Sequence, residues 1–398
     1  MPARFKLMLV AGEPSGDAHS ATLVRALREA APDVEFEFFG ATGPLMRAEG
    51  VDTTVNSDSL AIMGIMEVAR VFPRFIRAFR NLKVAALERK PDAVVLVDWP
   101  EFNLRLASSL HRQGIKVIYY ISPQLWAWRP KRVNKIKRDV DLLLAILPFE
   151  VDWYQARGVE HIEFVGHPLT GEVKAHVSRE EFCLQNSLDP TRPIISFLPG
   201  SRHKELVRIL PPMLDAIELI AAKRSDVQFV LVVAPSRKPE EATQIVSHHR
   251  GAATFLSRVK MVHHKTRDAV AASDVAAVAS GTATLEAALL GTPMVIVYKE
   301  SAINWHTLGR LINVEHYGLA NLVAGKRIVT ELMQNDLDGP RLADELMSLL
   351  EPQRNQELRE ELHRIADRLG DSGASQKAAE AILRELTNHS EASPVSVQ

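Results

Sequence analysis

Phe5-Lys6-Leu7-Met8-Leu9-Val10-Ala11 runs straight into Gly12-Glu13-Pro14-Ser15-Gly16-Asp17, after which Leu23, Val24 and Leu27 fall at helical spacing. A short apolar run, closed by a glycine turn and followed by an amphipathic helix, is the repeating unit of a parallel α/β sheet. The same rhythm predicts strands at 34–39, 93–98, 115–122, 142–147 and 162–165. It stops at a polar stretch, 172–192, and restarts with strands at 194–198, 227–233, 275–279 and 294–298. Two doubly wound α/β domains follow, residues 1–170 and 171–354. Residues 355–387 read as helices that pack on the first domain or on a partner subunit, and 388–398 as a flexible tail.

The composition fits this reading. The 398 residues are 46% apolar and 24% charged, near the globular average, and 48 basic against 49 acidic residues leave a net charge of −1. The one cysteine, Cys183, excludes an intrachain disulfide framework and a CxxC metal knuckle, and suggests a reducing compartment. The N-terminal apolar stretch is too short for a secretory signal, and the longest other run, 142–149, is about half a bilayer span. The expectation is a cytoplasmic protein whose membrane contact, if any, is peripheral.

Charge is unevenly placed: residues 60–138 hold 16 Lys and Arg against 5 Asp and Glu. Within them Phe75, Ile76, Phe79 and Leu82 recur at helical spacing, interleaved with Arg74, Arg77, Arg80 and Lys83, and Pro73 suits a first helical position. This basic amphipathic helix follows Leu60-Ala61-Ile62-Met63-Gly64-Ile65-Met66, a greasy stretch. Either one face packs on the sheet, or the segment touches a membrane or acyl chain.

Several turns could carry chemistry. The turn 12–17 lies at the carboxyl edge of its sheet, where open α/β folds bind ligands, though it is neither GxGxxG nor a P-loop; the plainer reading makes Asp17 a helix cap. Asp98 ends an inner strand just before Trp99-Pro100, where a general base belongs; capping the next helix is its alternative. In the second half, Pro199-Gly200-Ser201-Arg202 offers an arginine for phosphate oxygens. Ser280-Gly281-Thr282 opens a helix whose free N–H groups suit an anion, and Glu286 one turn on could reach ribose hydroxyls. That pair fits a nucleoside diphosphate, with an ordinary capped helix as the alternative.

Other signals point elsewhere. Gln124-Leu125-Trp126-Ala127-Trp128-Arg129, with Lys131, Arg132, Lys135, Lys137 and Arg138 after it, resembles a single-stranded nucleic-acid surface. No RNA-binding motif accompanies it, so an anionic small molecule or lipid headgroup fits better than nucleic acid. Asp139-Val140-Asp141 precedes its strand instead of ending it, and neither His248-His249 nor His263-His264 has metal-ligand spacing. No metal and no cofactor are expected.

The ordered motifs resemble the lipid-A-disaccharide synthases, GT-B glycosyltransferases of lipid A and lipopolysaccharide biosynthesis. The resemblance runs through Ala11-Gly12-Glu13-Pro14-Ser15-Gly16-Asp17, Met63-Gly64-Ile65-Met66-Glu67-Val68, Val97-Asp98-Trp99-Pro100-Glu101-Phe102-Asn103, Trp126-Ala127-Trp128-Arg129, Leu147-Pro148-Phe149-Glu150, Gly166-His167-Pro168, Leu198-Pro199-Gly200-Ser201-Arg202, Ala279-Ser280-Gly281-Thr282-Ala283-Thr284-Leu285-Glu286 and Asn321-Leu322-Val323-Ala324-Gly325. It implies two Rossmann-like domains facing across a cleft, with C-terminal helices crossing back to the first. It also implies inverting transfer of 2,3-diacylglucosamine from its UDP donor to the 6-hydroxyl of 2,3-diacylglucosamine 1-phosphate, giving the β-1′,6-linked disaccharide 1-phosphate and UDP.

Under that resemblance Asp98 is the general base. Arg202, Ser280, Gly281 and Thr282 take the diphosphate, Glu286 the ribose, and Asn321 and Gln334 lie near the donor. Glu13, Ser15 and Asp17 line the acceptor side, and the segment from Leu60 to Leu82 meets acyl chains and the inner leaflet of the inner membrane, with room for a homo-oligomer. Three positions depart from the family pattern: Trp99 stands where a small residue is usual, Glu101 replaces an aspartate, and Gly318-Leu319-Ala320-Asn321 replaces a Ser-Leu-Pro-Asn run. The rivals are a UDP-sugar epimerase, a polyprenyl-linked sugar transferase of the same fold, and a nucleotide-binding module without catalysis.

Overall fold

A computed structural model describes residues 3–59, 68–250, 252, 258–301 and 316–392. The chain divides into two compact units, Met1–Gly171 with Gly370–Gln398, and Glu172–Leu369. The first carries seven strands: β1 (Arg4–Ala11), β2 (Glu35–Thr42), β3 (Asp52–Asn56), β4 (Ala93–Val97), β5 (Val117–Tyr120), β6 (Leu142–Ala145) and β7 (Ile162–Phe164). They pair in parallel in the order β3-β2-β1-β4-β5-β6-β7.

The alternation of a strand explains the layers. From β1, Met8 and Val10 enter one core, while Leu7, Leu9 and Ala11 enter another on the opposite face. The first core is closed by Leu82 and Ala86 of the helix Val68–Arg89 and by Leu106 and Leu110 of Pro100–His111. The second is closed by Leu23, Val24 and Leu27 of the helix Pro14–Ala30 and by Ala378 and Ile382 of Ala374–Ala392. Each such buried Leu or Val contributes about 1.5–3 kcal/mol.

The second unit holds β8 (Ile194–Leu198), β9 (Gln228–Val233), β10 (Val259–His263), β11 (Val275–Ala279), β12 (Met294–Tyr298) and β13 (Glu331–Met333), parallel in the order β10-β9-β8-β11-β12-β13. Strands β3, β10 and β13 were not expected. Each is a sheet edge, so its side chains are half-exposed and its sequence lacks an apolar run. The helix Pro352–Arg368 packs in this unit on Thr282–Leu289 and Leu319–Ala324, whereas Ala374–Ala392 belongs to the first unit and extends into the stretch expected to fray.

The order of strands reverses direction at β1/β4 in one sheet and at β8/β11 in the other. Ligands of doubly wound folds bind outside the carboxyl ends of strands at such points. The turns 12–17 and 98–99 flank the first, and 199–202 and 280–282 the second.

The basic helix differs from its sequence reading. Pro73 lies inside Val68–Arg89 and does not start it. The buried stripe is Ala78, Leu82 and Ala86 with Phe75 and Phe79 beside it, whereas Ile76 is 46% exposed among Arg74, Arg77 and Arg80. The greasy stretch Leu60-Ala61-Ile62-Met63-Gly64-Ile65-Met66 lies outside the described residues. Among the described residues no helix is long and apolar enough to cross a membrane.

Candidate active site

At the β1/β4 switch point the chain leaves β4 through two consecutive residues in the left-handed region, Asp98 (φ 47°) and Trp99 (φ 51°). Neither is glycine, so each conformation costs roughly 1–2 kcal/mol and must be held from outside. Asn103, fully buried, supplies the hold: its Nδ2 donates to the carbonyls of Asp98 at 2.7 Å, Val97 at 3.2 Å and Val10 at 3.4 Å. The Tyr119 phenol on β5 donates to the same Asp98 carbonyl at 2.7 Å.

The Asp98 carboxyl is largely buried, and its pKa is pushed up to about 6. Burial is the main cause and the nearby Glu13 charge adds to it, while the Trp99 N–H works against them. A carboxylate near 6 is ionised at neutral pH yet basic enough to take a proton.

Glu13 and Ser15 are exposed on the turn after β1, but Asp17 does not join them. It is 2% exposed, and its oxygens accept from the N–H groups of Gly43 (2.9 Å), Leu45 (2.8 Å) and Met46 (3.1 Å). Asp17 therefore caps the helix Pro44–Ala48, and its lone pairs are taken up by backbone donors. The capping alternative describes its contacts, although on a different helix from its own, and its oxygens are turned away from solvent.

The aromatic and basic loop is also anchored inward. Trp126 is buried and donates its Nε1 to Glu150 at 3.0 Å; Ser122 donates to the same carboxyl at 2.6 Å and the Leu147 N–H at 3.2 Å. Burial raises the Glu150 pKa to about 7 despite these donors. Arg129 and Arg132 both engage Glu101, at 3.3 and 2.7 Å, so that part of the loop's charge is already paired.

At the β8/β11 switch point a cavity of about 550 Å³ is lined by Gly200, Arg202, Glu205, Arg267, Ser280–Thr282 and Glu286 among others. Its volume suits a nucleotide. The turn 200–202 is held by Glu205, whose Oε2 accepts from the N–H groups of Ser201 (3.0 Å) and Arg202 (3.2 Å) while its Oε1 pairs with the Arg202 guanidinium (2.9 Å). Opposite, Gly281 adopts φ 152° and caps the helix Thr282–Leu289, and a Cβ on it would meet nothing within 4 Å. The Thr284 N–H bonds back to the Gly281 carbonyl at 3.1 Å, and the leading N–H groups of a helix, which lack intrahelical carbonyls, are what an anion uses. Glu286 lines the same cavity and pairs with Arg267 at 3.0 Å.

A family model described as lipid-A-disaccharide synthetase matches residues 7–384. The chain belongs to the lipid-A-disaccharide synthase family. It is 41% identical over 383 residues to the lipid-A-disaccharide synthase of Trichlorobacter lovleyi, covering 95% of this chain and 97% of that one. It is 40% identical to that of Geobacter metallireducens, covering 96% and 97%. Among solved structures, the UDP-GlcNAc 2-epimerase of Neisseria meningitidis bound to UDP-GlcNAc aligns at a TM-score of 0.62 with 12% identity, covering 95% of this chain and 100% of that one. S. aureus MnaA with UDP aligns at 0.65 with 12% identity, covering 96% and 97%. Those likenesses give the GT-B type of fold, and the family model and relatives separate this synthase family from the epimerases that share it.

Two residues of this synthase family member that were expected near the donor are occupied by the protein's own backbone and side chains. Asn321 is fully buried: its Oδ1 accepts from Ile328 and Val329 at 2.9 Å each, and its Nδ2 donates to the Val329 carbonyl and to Glu331 at 2.8 Å each. Glu331 in turn accepts from Tyr317 and Gly318 N–H, and the Tyr317 carbonyl accepts from the Ser280 hydroxyl at 3.3 Å. Asn321 thus supports the Ser280–Thr282 loop from behind, and its amide's donors and acceptor are taken up within the protein. The Gln334 amide faces the Glu300 backbone, bonding its N–H and carbonyl at 3.1 Å each. The sequence reading missed Glu205, Arg267 and Glu150. Glu205 stands three residues after Arg202, a capping-box spacing that could have been read; the other two pair with residues 19 and 24 positions away, which no local pattern announces.

Proposed function

We propose that this chain transfers 2,3-diacylglucosamine from its UDP donor to the 6-hydroxyl of 2,3-diacylglucosamine 1-phosphate, forming the β-1′,6-linked disaccharide 1-phosphate and UDP. The observation that carries the reading is Asp98: a largely buried carboxyl held in a strained turn at a ligand-binding edge, with its pKa pushed up to about 6. It takes the proton from the acceptor hydroxyl as that oxygen bonds to the donor's anomeric carbon. The bond from that carbon to the diphosphate breaks on the opposite side, and its electron pair leaves with UDP, so the configuration inverts. Arg202 and the N–H groups at the start of Thr282–Leu289 stabilise the leaving diphosphate, Ser280 and Gly281 shape that loop, and Glu286 receives ribose hydroxyls through the oxygen that Arg267 leaves free.

Glu13 and Ser15, exposed beside Asp98, face the acceptor. The exposed face of Val68–Arg89, with Arg74, Arg77 and Arg80 around Ile76, provides peripheral contact with an anionic inner leaflet in the cytoplasm. The test is mass spectrometry of products from purified protein in mild detergent with EDTA and both lipid substrates, beside Asp98→Asn. Disaccharide 1-phosphate and UDP from the wild type, nearly abolished in the variant, is the expected result. No disaccharide at any acyl length overturns the reading.

A further inference from the structure

The feature of the first unit that catalysis leaves unused is Trp99. Its backbone is held in the left-handed region, and its ring is fixed on both faces. On one side the Phe102 ring stacks at 4.1 Å and 11°. On the other lies Gly12, where a Cβ would fall 2.1 to 2.4 Å from the indole atoms Cδ2, Cε3 and Cε2. The glycine of the first turn is therefore the space the indole occupies. Phe75 packs at 5.8 Å and 47°, so the ring belongs to an aromatic group continuous with the core.

A side chain clamped this way cannot swing aside without losing the stack or moving the turn. It nevertheless stays half-buried, one residue along the chain from Asp98. What it offers there is apolar and rigid. A diacylated amino sugar whose hydroxyl reaches Asp98 also brings its acyl chains to this edge of the sheet, and a rigid apolar ring one residue from the base is a surface they can lie against.

We propose that Trp99 is a specificity-determining residue, a wedge seated against Gly12 that limits the size of the acyl group accepted beside Asp98. The inference rests on the transferase reading above. Removing the wedge opens space toward the core and relaxes discrimination, and Phe in its place opens less.

The experiment compares kcat/KM for acceptors with short, intermediate and long acyl chains in the wild type, Trp99→Phe and Trp99→Ala, with thermal unfolding as a check on folding. Trp99→Ala should raise the ratio of long to short acceptors by about tenfold, and Trp99→Phe by less. Gly12→Ala should lower activity in the wild type, where its methyl displaces the indole, and be tolerated in Trp99→Ala. A folded Trp99→Ala with an unchanged ratio, or a Gly12→Ala effect independent of residue 99, overturns the wedge and leaves the transferase standing. A wild type that makes no disaccharide overturns both.

Discussion

Arg267 clamps a single oxygen of Glu286: its Nε and Nη2 both donate to Oε1, at 3.2 and 3.0 Å, while its Nη1 is tied to the Glu172 carbonyl at 2.8 Å. The other Glu286 oxygen is left pointing from a fixed carboxylate in the cavity at the β8/β11 edge. Such a carboxylate is prepared to accept hydroxyl donors without first finding its own orientation. Arg267→Ala should therefore weaken UDP binding by roughly tenfold, the worth of about one charge-assisted hydrogen bond. Calorimetric titration with UDP measures this, and an affinity within twofold of the wild type would show that the clamp does not serve the nucleotide.

With Asp98 as the base of the proposed transfer, its raised pKa predicts the pH dependence of the reaction. The base must be ionised to accept a proton, so kcat/KM should climb with pH by a factor of ten per unit below about 6 and level off above it. Asp98→Asn should lower kcat by about 10²–10⁴-fold and remove that acidic limb from the residual rate. A limb that persists unchanged in the variant would assign it to another group.

Asp17 offers a separation of folding from chemistry. Three backbone donors of the segment 43–46 converge on its buried carboxylate. Asp17→Ala leaves them unsatisfied and should cost about 2–3 kcal/mol, lowering the midpoint of thermal unfolding by roughly 5–10 °C. Asp17→Asn keeps one acceptor and should fall between. The acceptor KM of the folded variant should stay within twofold of the wild type; a rise in KM without loss of stability would return Asp17 to the acceptor side.

The contrast between Asp98 and Asp17 shows what the sequence could reveal. Inner strands announce themselves because both faces are covered and the run from Ala93 to Val97 is wholly apolar. A carboxylate following such a strand is thereby located at the ligand edge, which is why Asp98 was legible. Asp17 sits five residues beyond Gly12 on a helix, and its partners come from a turn 26 to 29 residues away. Asn321 and Arg267 are alike in this respect, since their roles depend on which loops the topology brings together. Edge strands β3, β10 and β13 escaped for a related reason: they are short and partly exposed, and none holds a continuous apolar run.

Glu150 gives the last prediction, and its sign needs care. Burial raises its folded pKa to about 7 from an ordinary value of 4.5, so between those values the folded state holds a proton that the unfolded chain has released. Stability then falls as pH rises through this window, by an amount on the order of 3 kcal/mol if no other group intervened. His167 runs the other way. Burial lowers its pKa to about 4, so the stability contributed by its neutral ring is present above its unfolded value near 6.5 and lost as pH falls toward 4. The two overlap, and the wild-type profile alone cannot separate them, but Glu150→Gln removes one and keeps the other. Because Gln carries no charge and can still accept from Trp126, the variant should gain stability over the wild type as pH rises from 5 to 8, read by urea unfolding at each pH. A difference between the two proteins that does not vary with pH would mean that Glu150 is already ionised throughout the window, with Ser122, Trp126 and the Leu147 N–H sufficient to hold its charge in the core.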